Sequence, residues 1–244
     1  LLAMIVLVAV WQGLALLINH HLLPTPLKVL QVMRTEWANG ELLHHLLTTL
    51  RRVAIAFTLA MILGSILGIL MGLHPRLNRL LDPYLVLFLN IPALVLIILL
   101  YVWFGLVEAA AVAAVVLNKV PNVAVTLREG TRTLDAGLDE MATVFHLSGW
   151  KRLRHLMLPQ LAPYFLVAAR SGLALIWKIV LVVELLGRSD GVGFQLHLAF
   201  QLFDIASILA YSFAFIAVVQ ILEWGVLQPL ERYSNRWRRV AGGQ

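Results

Sequence analysis

The sequence predicts an all-α, polytopic membrane protein with about six transmembrane helices and one polar loop that carries short helices of its own. Of its 244 residues, 61% are hydrophobic, whereas soluble domains are roughly half apolar. The apolar residues form several long runs, each able to cross a hydrocarbon core about 30 Å thick as a helix. Charged residues gather between these runs, above all in residues 128–163. We therefore predict a single membrane domain over residues 1–244.

Six apolar segments are predicted to span the membrane. Their approximate limits are residues 1–19, 52–73, 83–104, 107–127, 164–187 and 205–230. Between the first two, the stretch "LLPTPLKVLQVM" (22–33) predicts an extended turn at the two prolines. An amphipathic helix that lies at the membrane surface is expected to follow that turn.

The distribution of Lys and Arg predicts the orientation of the chain. Basic residues cluster in the 128–163 loop, in the loop between the second and third spans, and in the C-terminal tail. The positive-inside rule places these segments, and therefore both termini, in the cytoplasm. Residues 20–52 fit less well, because they are predicted to lie outside and yet contain Lys28, Arg34, Arg51 and Arg52. Cytoplasmic loops account for the net charge of +6 without any nucleic-acid partner.

Three glycines of the second span, Gly64, Gly68 and Gly72, recur at every fourth residue and therefore share one helix face. A face without Cβ atoms lets a second helix approach closely, which is how helices associate in lipid. We predict a packing seam there; the alternative is a groove that faces a solute.

Polar residues inside the predicted spans are the candidate pathway residues, because charge is costly in hydrocarbon and must face the protein interior or an interface. The candidates are Lys119, Arg170, Trp177, Lys178 and Glu184. Structural pairing is the alternative role for each of them. Pro92 and Pro121 lie inside the third and fourth spans and can kink them, as helices beside a transport pathway often are.

Motifs of catalysis and of cofactor binding are absent from the sequence. There is no G-x-x-x-x-G-K-[ST] loop for nucleotide phosphates, no H-E-x-x-H and no G-x-S-x-G. Cysteine is also absent, which excludes disulfides and thiolate metal sites. The glycine-rich "GRSDGVGFQL" (187–196) is predicted to be a turn after a span. We therefore predict that the chain is not an enzyme and binds no cofactor or metal.

The polar loop "DEMATVFHLSGWKRLRHLMLP" (139–159) predicts two short helices joined by a turn. The pattern of the first helix breaks at His146. Ser148 is a good N-cap for the second helix, in which Trp150 begins an apolar stripe, and Pro159 is expected to end it. A helical hairpin of this kind exceeds what a simple connection needs, and so it indicates a docking element for another protein.

This loop resembles the EAA loop of binding-protein-dependent ABC importer permeases, whose pattern begins E-A-A, continues to a glycine and closes on I-x-L-P. Glu140 and Ala142 match, Met141 replaces the first alanine, and "LMLP" at 156–159 stands for I-x-L-P. His146 occupies the position of the glycine, and Gly149 follows three residues later. Further stretches resemble the nitrate/sulfonate/taurine/bicarbonate branch of these permeases over nearly the whole chain. They are "LPTPLKVL" (23–30), "LRRVAIAFTLAMILGSILGILMG" (50–72), "IPALVLIILLYVWFGL" (91–106) and the series Arg170, Trp177, Glu184, Gly191, Gly193.

The resemblance implies a multi-pass permease of the bacterial inner membrane that imports a small, anionic solute such as a sulfonate, nitrate or bicarbonate. It implies a homodimer of permease subunits in membrane lipid, a cytoplasmic ATPase dimer that uses ATP and Mg, and an extracytoplasmic solute-binding protein. It also assigns ATPase coupling to a set of loop residues. They are Glu140, Met141, Ala142, His146, Ser148, Gly149 and Pro159.

Two alternatives remain open at this point. Intramembrane charges and kinked helices would also suit an ion- or proton-coupled secondary transporter or a channel. Within the importer class, the solute could instead be an aromatic acid or a pyrimidine precursor of thiamine.

Overall fold

The computed structural model describes residues 2–18 and 22–227. All regular structure in those two ranges is helical, which confirms the predicted all-α class. Some terminal residues of the first and sixth predicted spans lie outside the described residues, namely 1, 19 and 228–230. The basic tail also lies outside them. The α-helices are α1 Leu2–Ile18, α2 Pro26–Ala38, α3 Glu41–Leu73, α4 Pro75–Asn90, α5 Ala93–Phe104, α6 Glu108–Arg132, α7 Ala136–Val144, α8 Gly149–Arg152, α9 Leu158–Gly187, α10 Val192–Gln201 and α11 Ile205–Leu222.

Four helical segments of the described chain are long and apolar enough to cross a membrane. They are Glu41–Leu73, Glu108–Arg132, Gly149–Gly187 and Ile205–Gly225. Helices α4 and α5, whose axes are bent by 98°, would raise the count to five if the pair is one broken span rather than a re-entrant loop. Helix α1 has 17 residues and is apolar but shorter. A polytopic membrane protein is therefore confirmed, whereas the predicted count of six spans is not.

The third predicted span, 83–104, is not one helix. Helix α4 ends at Asn90, Ile91 is extended with ψ 123°, and Pro92 occupies the N-cap of α5. Proline disfavours helical geometry in the residue before it, so the break falls at Ile91. Pro121, by contrast, lies within a continuous α6.

The helix of the second predicted span begins eleven residues earlier than expected, at Glu41, so α3 includes the last part of the segment that is predicted to lie outside (20–52). The preceding helix, α2, starts after the predicted proline turn. Thr25 is its N-cap and accepts a hydrogen bond from the backbone N–H of Lys28 at 3.3 Å. Its side-chain oxygen therefore satisfies a backbone donor that the first turn leaves free.

The chain divides into two compact units, each assembled from separated stretches. The first contains residues 1–52 and 180–223. There α11 contacts α2 and α10, and Tyr211, which is 2% exposed, donates a hydrogen bond to Glu36 Oε2 at 2.8 Å. The Trp11 and Phe213 rings lie 6.0 Å apart between centroids.

The second unit contains residues 53–179 and the segment that starts at residue 224. Helix α6 lies at its centre, in contact with α4 and α5. Val123 and Leu127 of α6 pack with Leu161 and Ala168 of α9, and all four side chains are almost fully buried. This unit carries the polar loop and most of the predicted pathway residues.

The structure places the three glycines of α3 directly against α6. A Cβ atom at Gly64 would lie 2.6 Å from Val123 Cβ, and one at Gly72 would lie 2.5 Å from Thr131 Cβ. At Gly68 the clash would be with backbone, at 2.4 Å from the carbonyl oxygen of Ala124. The seam is therefore too close for any side chain larger than hydrogen.

Candidate functional site

Helix α7 is fixed at both ends. Asp135 is its N-cap and accepts a hydrogen bond from the N–H of Gly137 at 2.8 Å. At its C-terminal end, His146 has a φ of +52°, and the N–H of Leu147 reaches back to the carbonyl of Ala142 at 2.9 Å. This is the Schellman arrangement, in which glycine is the usual left-handed residue. His146 therefore adopts the turn conformation for which the EAA pattern has a glycine.

The exposed face of α7 is both apolar and acidic. Ala142 is 1% exposed and faces the protein, whereas Val144 and Phe145 are 74% and 71% exposed. Met141 and Glu140 are also exposed. An aliphatic and an aromatic side chain that project together from a short, rigid helix are typical of a contact with another protein.

Helix α8 begins as the sequence predicted. Ser148 has the extended backbone of an N-cap residue, with ψ 150°, although its side chain makes no capping hydrogen bond. Gly149 is the first helical residue, and Trp150 after it is 67% exposed. Arg152 Nη2 donates to Thr143 Oγ1 at 3.4 Å, so a polar contact links the second short helix to the first.

The prediction that Pro159 ends the second helix is wrong. A π-helical turn, Leu153–Met157, joins α8 to α9, and Pro159 is the second residue of α9. A π turn shifts the backbone hydrogen bonds by one residue. The helix continues through Pro159 into the span, as α6 continues through Pro121.

A buried ion pair lies in the unit formed by residues 1–52 and 180–223. Arg52 Nη1 donates to Glu184 Oε1 at 2.8 Å, and the two side chains are 2% and 0% exposed. The other carboxylate oxygen of Glu184 accepts from Thr49 Oγ1 and from the backbone N–H of Gly193, both at 2.9 Å. Glu184, one of the predicted pathway residues, is thus fully occupied by bonds within the chain.

The turn between α9 and α10 closes over this ion pair. Arg52 also bonds the Asp190 carboxylate, and its Nη1 donates to the Asp190 carbonyl at 2.9 Å. Gly191, with a φ of +102°, leaves no room for a side chain, since a Cβ there would lie 2.3 Å from the Glu184 carboxyl carbon. The glycine-rich stretch therefore contains a turn at residues 188–191, whereas its second half, from Val192, is the start of α10 and not a turn as predicted. Gly191 and Gly193 leave room for the buried carboxylate.

Asp190 is the titratable group of this cluster that lies outside the spanning helices. Burial alone would raise its pKa, but the hydrogen bond from Arg52 and the positive charges of Arg52 and Arg188 outweigh burial, so the pKa lies below the ordinary 3.8. The folded protein thus holds Asp190 in its charged form.

Four members of the cluster were not among the predicted site residues, namely His45, Thr49, Arg52 and Asp190. His45 is 5% exposed, and its Nδ1 accepts a hydrogen bond from the N–H of Gly191 at 3.0 Å. Arg52 did leave a signal, because it belonged to the basic residues that fitted the positive-inside rule poorly. Its charge is neutralised inside the protein, so it does not bear on orientation.

The remaining predicted pathway residues have different environments. Lys119 is 1% exposed, and its Nζ lies 3.5 Å from the carbonyl oxygen of Ser171 in α9. Trp177 is 7% exposed, whereas Arg170 and Lys178 are exposed on α9. Among the described residues, no group of three or more His, Asp or Glu side chains could hold a metal ion.

Helices long and apolar enough to cross a membrane, together with a polar loop of two short helices that expose apolar side chains, are typical of a membrane transport subunit. The chain belongs to the family described as binding-protein-dependent transport system inner membrane component, whose model matches residues 55–225. It is therefore the permease of an ABC importer, a multi-pass inner-membrane protein and not an enzyme. The ATPase and the solute-binding protein of such an importer are separate subunits.

Several known proteins are similar over almost the whole chain. A Bacillus subtilis protein named as the aliphatic sulfonates transport permease SsuC is 32% identical, with 98% of this chain and 87% of the relative covered. The protein of the same name from Escherichia coli is 34% identical, with 95% and 88% covered. The Escherichia coli taurine transport system permease TauC is 29% identical, with 95% and 86% covered.

A crystal structure of an amino acid ABC transporter with histidines has the same fold. It superposes with a TM-score of 0.63 and covers 83% of this chain and 97% of its own, at 19% sequence identity. At this level of identity the likeness supports the fold alone.

Proposed function

We propose that α7 and the turn after it receive the work of ATP hydrolysis from a cytoplasmic ATPase dimer. The observation that carries this proposal is the exposure of Val144 and Phe145, at 74% and 71%, on a helix that is fixed at both ends. Glu140 and Met141 lie on the exposed side of the same helix. His146, Ser148, Gly149 and Pro159 shape the turn and the entry into α9.

The proposed assembly is a homodimer of this chain in membrane lipid, with both termini and the α7–α8 hairpin in the cytoplasm. The concentration of Lys and Arg in residues 128–163 supports that orientation. This chain binds no cofactor in the proposal, and ATP and Mg act in the partner ATPase.

The proposed solute is a small organic anion, with alkyl sulfonates as the first class to test. Support comes from the two relatives named as aliphatic sulfonates permeases, which are more than 30% identical to this chain. Aromatic acids and thiamine-precursor pyrimidines form the second class. Competition measurements distinguish the two classes: uptake of a labelled alkyl sulfonate should be inhibited by other alkyl sulfonates and not by aromatic acids or pyrimidines.

The coupling proposal is tested in proteoliposomes that contain the chain, its ATPase and its binding protein. Phe145→Asp places a charge on the exposed apolar face, and loss of an interface aromatic costs about 2 kcal/mol or more. We expect ATPase co-purification and sulfonate uptake to fall about thirtyfold. Glu140→Arg should likewise abolish ATP-driven uptake while the membrane domain stays folded.

Phe104→Asp is the matched control, because Phe104 is 65% exposed at the end of α5 and is predicted to lie on the opposite side of the membrane. It should retain ATPase binding. Equal losses in Phe145→Asp and Phe104→Asp would contradict a specific contact at α7. Solute accumulation by the chain alone, without the ATPase, would support a secondary transporter instead.

A further inference from the structure

A row of polar side chains runs along one face of α6. Asn118, Asn122 and Thr126 follow one another at every fourth residue, so each lies one turn beyond the last on the same side of the helix. All three are partly exposed. They lie in the segment Glu108–Arg132, which is long and apolar enough to span the membrane.

These side chains are not bonded to neighbouring helices. Asn122 Nδ2 donates to the Asn118 carbonyl at 3.4 Å, and Thr126 Oγ1 donates to the Asn122 carbonyl at 3.0 Å, so both bonds stay within α6. Within residues 2–18 and 22–227, the side-chain amide of Asn118 has no hydrogen-bond partner. A polar row of this kind is unfavourable against lipid chains, so water, a polar ligand or polar groups of the second subunit of the proposed dimer must face it.

The electrostatic surroundings of this polar row favour an anion. Lys119 is next to Asn118 in sequence and is 1% exposed, and the carbonyl of Ser171, 3.5 Å from its Nζ, cancels no charge. At the other end of the row, Glu129 is bonded by Arg128 at 3.1 Å and by Arg132 at 3.2 Å, so its negative charge is compensated. An ammonium group in a low-dielectric surrounding attracts negative charge over several ångströms.

We propose that Asn118, Asn122 and Thr126 line the solute pathway and hydrogen-bond the anionic head group of the solute as it passes, with Lys119 behind them supplying the attractive charge. This inference rests on the proposed import of an organic anion and assigns it a binding station. Amide N–H and hydroxyl groups donate to sulfonate oxygens, and a row one turn apart offers successive donors along the direction of transport.

Cysteine accessibility tests whether water reaches this row, and the chain contains no cysteine of its own. Asn118→Cys, Asn122→Cys and Thr126→Cys are made singly, and each complex with its ATPase and binding protein is placed in nanodiscs. The probe is 2-sulfonatoethyl methanethiosulfonate. The cysteine thiol loses its proton to water, and the resulting thiolate attacks the sulfenyl sulfur of the reagent. This attack forms a mixed disulfide and releases methanesulfinate.

Two controls define the expected result. The controls are Leu117→Cys and Leu127→Cys. Leu117 lies on another face of α6 and lines an apolar crevice, and the side chain of Leu127 is fully buried. The three row positions should react at least about tenfold faster than both controls, since thiols ionise in contact with water. Excess ethanesulfonate should slow their modification. Equal rates at row and control positions would overturn the proposal.

A charge substitution tests contact with the anion. Asn122→Asp keeps the shape of the side chain and adds a negative charge, which should lower sulfonate uptake about tenfold or more while ATPase co-purification is unchanged. Asn90→Asp is the matched control, because Asn90 also donates to the carbonyl four residues earlier, at 2.7 Å, but lies in α4. It should transport normally.

The possible failures are distinguishable. If the wild-type complex imports no sulfonate, the proposed solute class fails, while the labelling rates still report whether water reaches the row. If the wild type imports sulfonate, yet Asn122→Asp imports it equally well or the row cysteines stay unreactive, the assignment of this row to the pathway is wrong.

Discussion

Removing one partner of the buried Arg52–Glu184 pair should be among the most destabilising changes in this protein. In Glu184→Met, the Gly193 N–H loses its acceptor at 2.9 Å, and Arg52 loses one of its two carboxylate partners but keeps Asp190. The Thr49 hydroxyl keeps the His45 carbonyl at 3.1 Å. A stranded buried donor costs about 1–3 kcal/mol, and breaking a buried ion pair costs about 3–5 kcal/mol when the remaining charge has no other partner. Because Arg52 keeps Asp190 as a partner, we expect Glu184→Met to lower the free energy of unfolding by about 2–4 kcal/mol.

The double variant Arg52→Met, Glu184→Met is the informative companion. It removes both charges, and Asp190 keeps Arg188 Nη2 at 3.9 Å as a positive neighbour. We therefore expect the double variant to lose at least about 2 kcal/mol less than the sum of the two single losses.

Unfolding in mixed micelles of dodecyl sulfate and dodecyl maltoside, followed by tryptophan fluorescence, provides the measurement. Single variants within about 1 kcal/mol of the wild type, or strictly additive losses in the double variant, would refute the reasoning. The first result would mean that the pair is hydrated, and the second that the two charges do not interact.

Two further predictions concern packing and pH. Gly68→Ala should lower the free energy of unfolding by about 1–3 kcal/mol, because its Cβ would lie 2.4 Å from a backbone carbonyl oxygen. Gly13→Ala is the control and should be neutral, because no atom lies within 4 Å of its Cβ. Thermal unfolding measures both variants, and equal effects would contradict close packing of α3 on α6 at Gly68. For Asp190, a pKa lowered in the folded state stabilises the protein above the ordinary value of 3.8, and that contribution is lost as pH falls through the lower folded pKa. In thermal unfolding from pH 7 to pH 3, the wild type should be more stable than Asp190→Asn at neutral pH and should lose that extra stability below about pH 4. A difference in stability that is the same at every pH would count against the Arg52 contact.

Local patterns in the sequence were sufficient for the features that depend on near neighbours. The four-residue spacing of Gly64, Gly68 and Gly72 predicts one shared helix face, and the structure has α6 packed on that face. The EAA pattern likewise predicts a turn at His146, and the positive φ there is the conformation that the pattern requires.

Long-range contacts were beyond such reasoning. Arg52 and Glu184 are separated by 132 residues, and no periodicity links them. The unfavourable charge of Glu184 within an apolar span indicates that a partner exists but does not identify it. Helix ends were also uncertain, since Ile91–Pro92 breaks a span whereas Pro159 does not. The two prolines differ in the backbone before them, which is extended at Ile91 and a continuous π-helical turn before Pro159, and composition does not reveal that difference.

That π turn has a mechanical consequence. Because α8 continues into α9 without a loop, the chain from residue 149 to residue 179 is a single helical rod, about 46 Å long at 1.5 Å per residue. If this helix is rotated by about 5° about its hairpin end, its far end moves by about 4 Å. A flexible connection at Pro159 would absorb such a rotation, whereas an unbroken helix carries it into the bilayer.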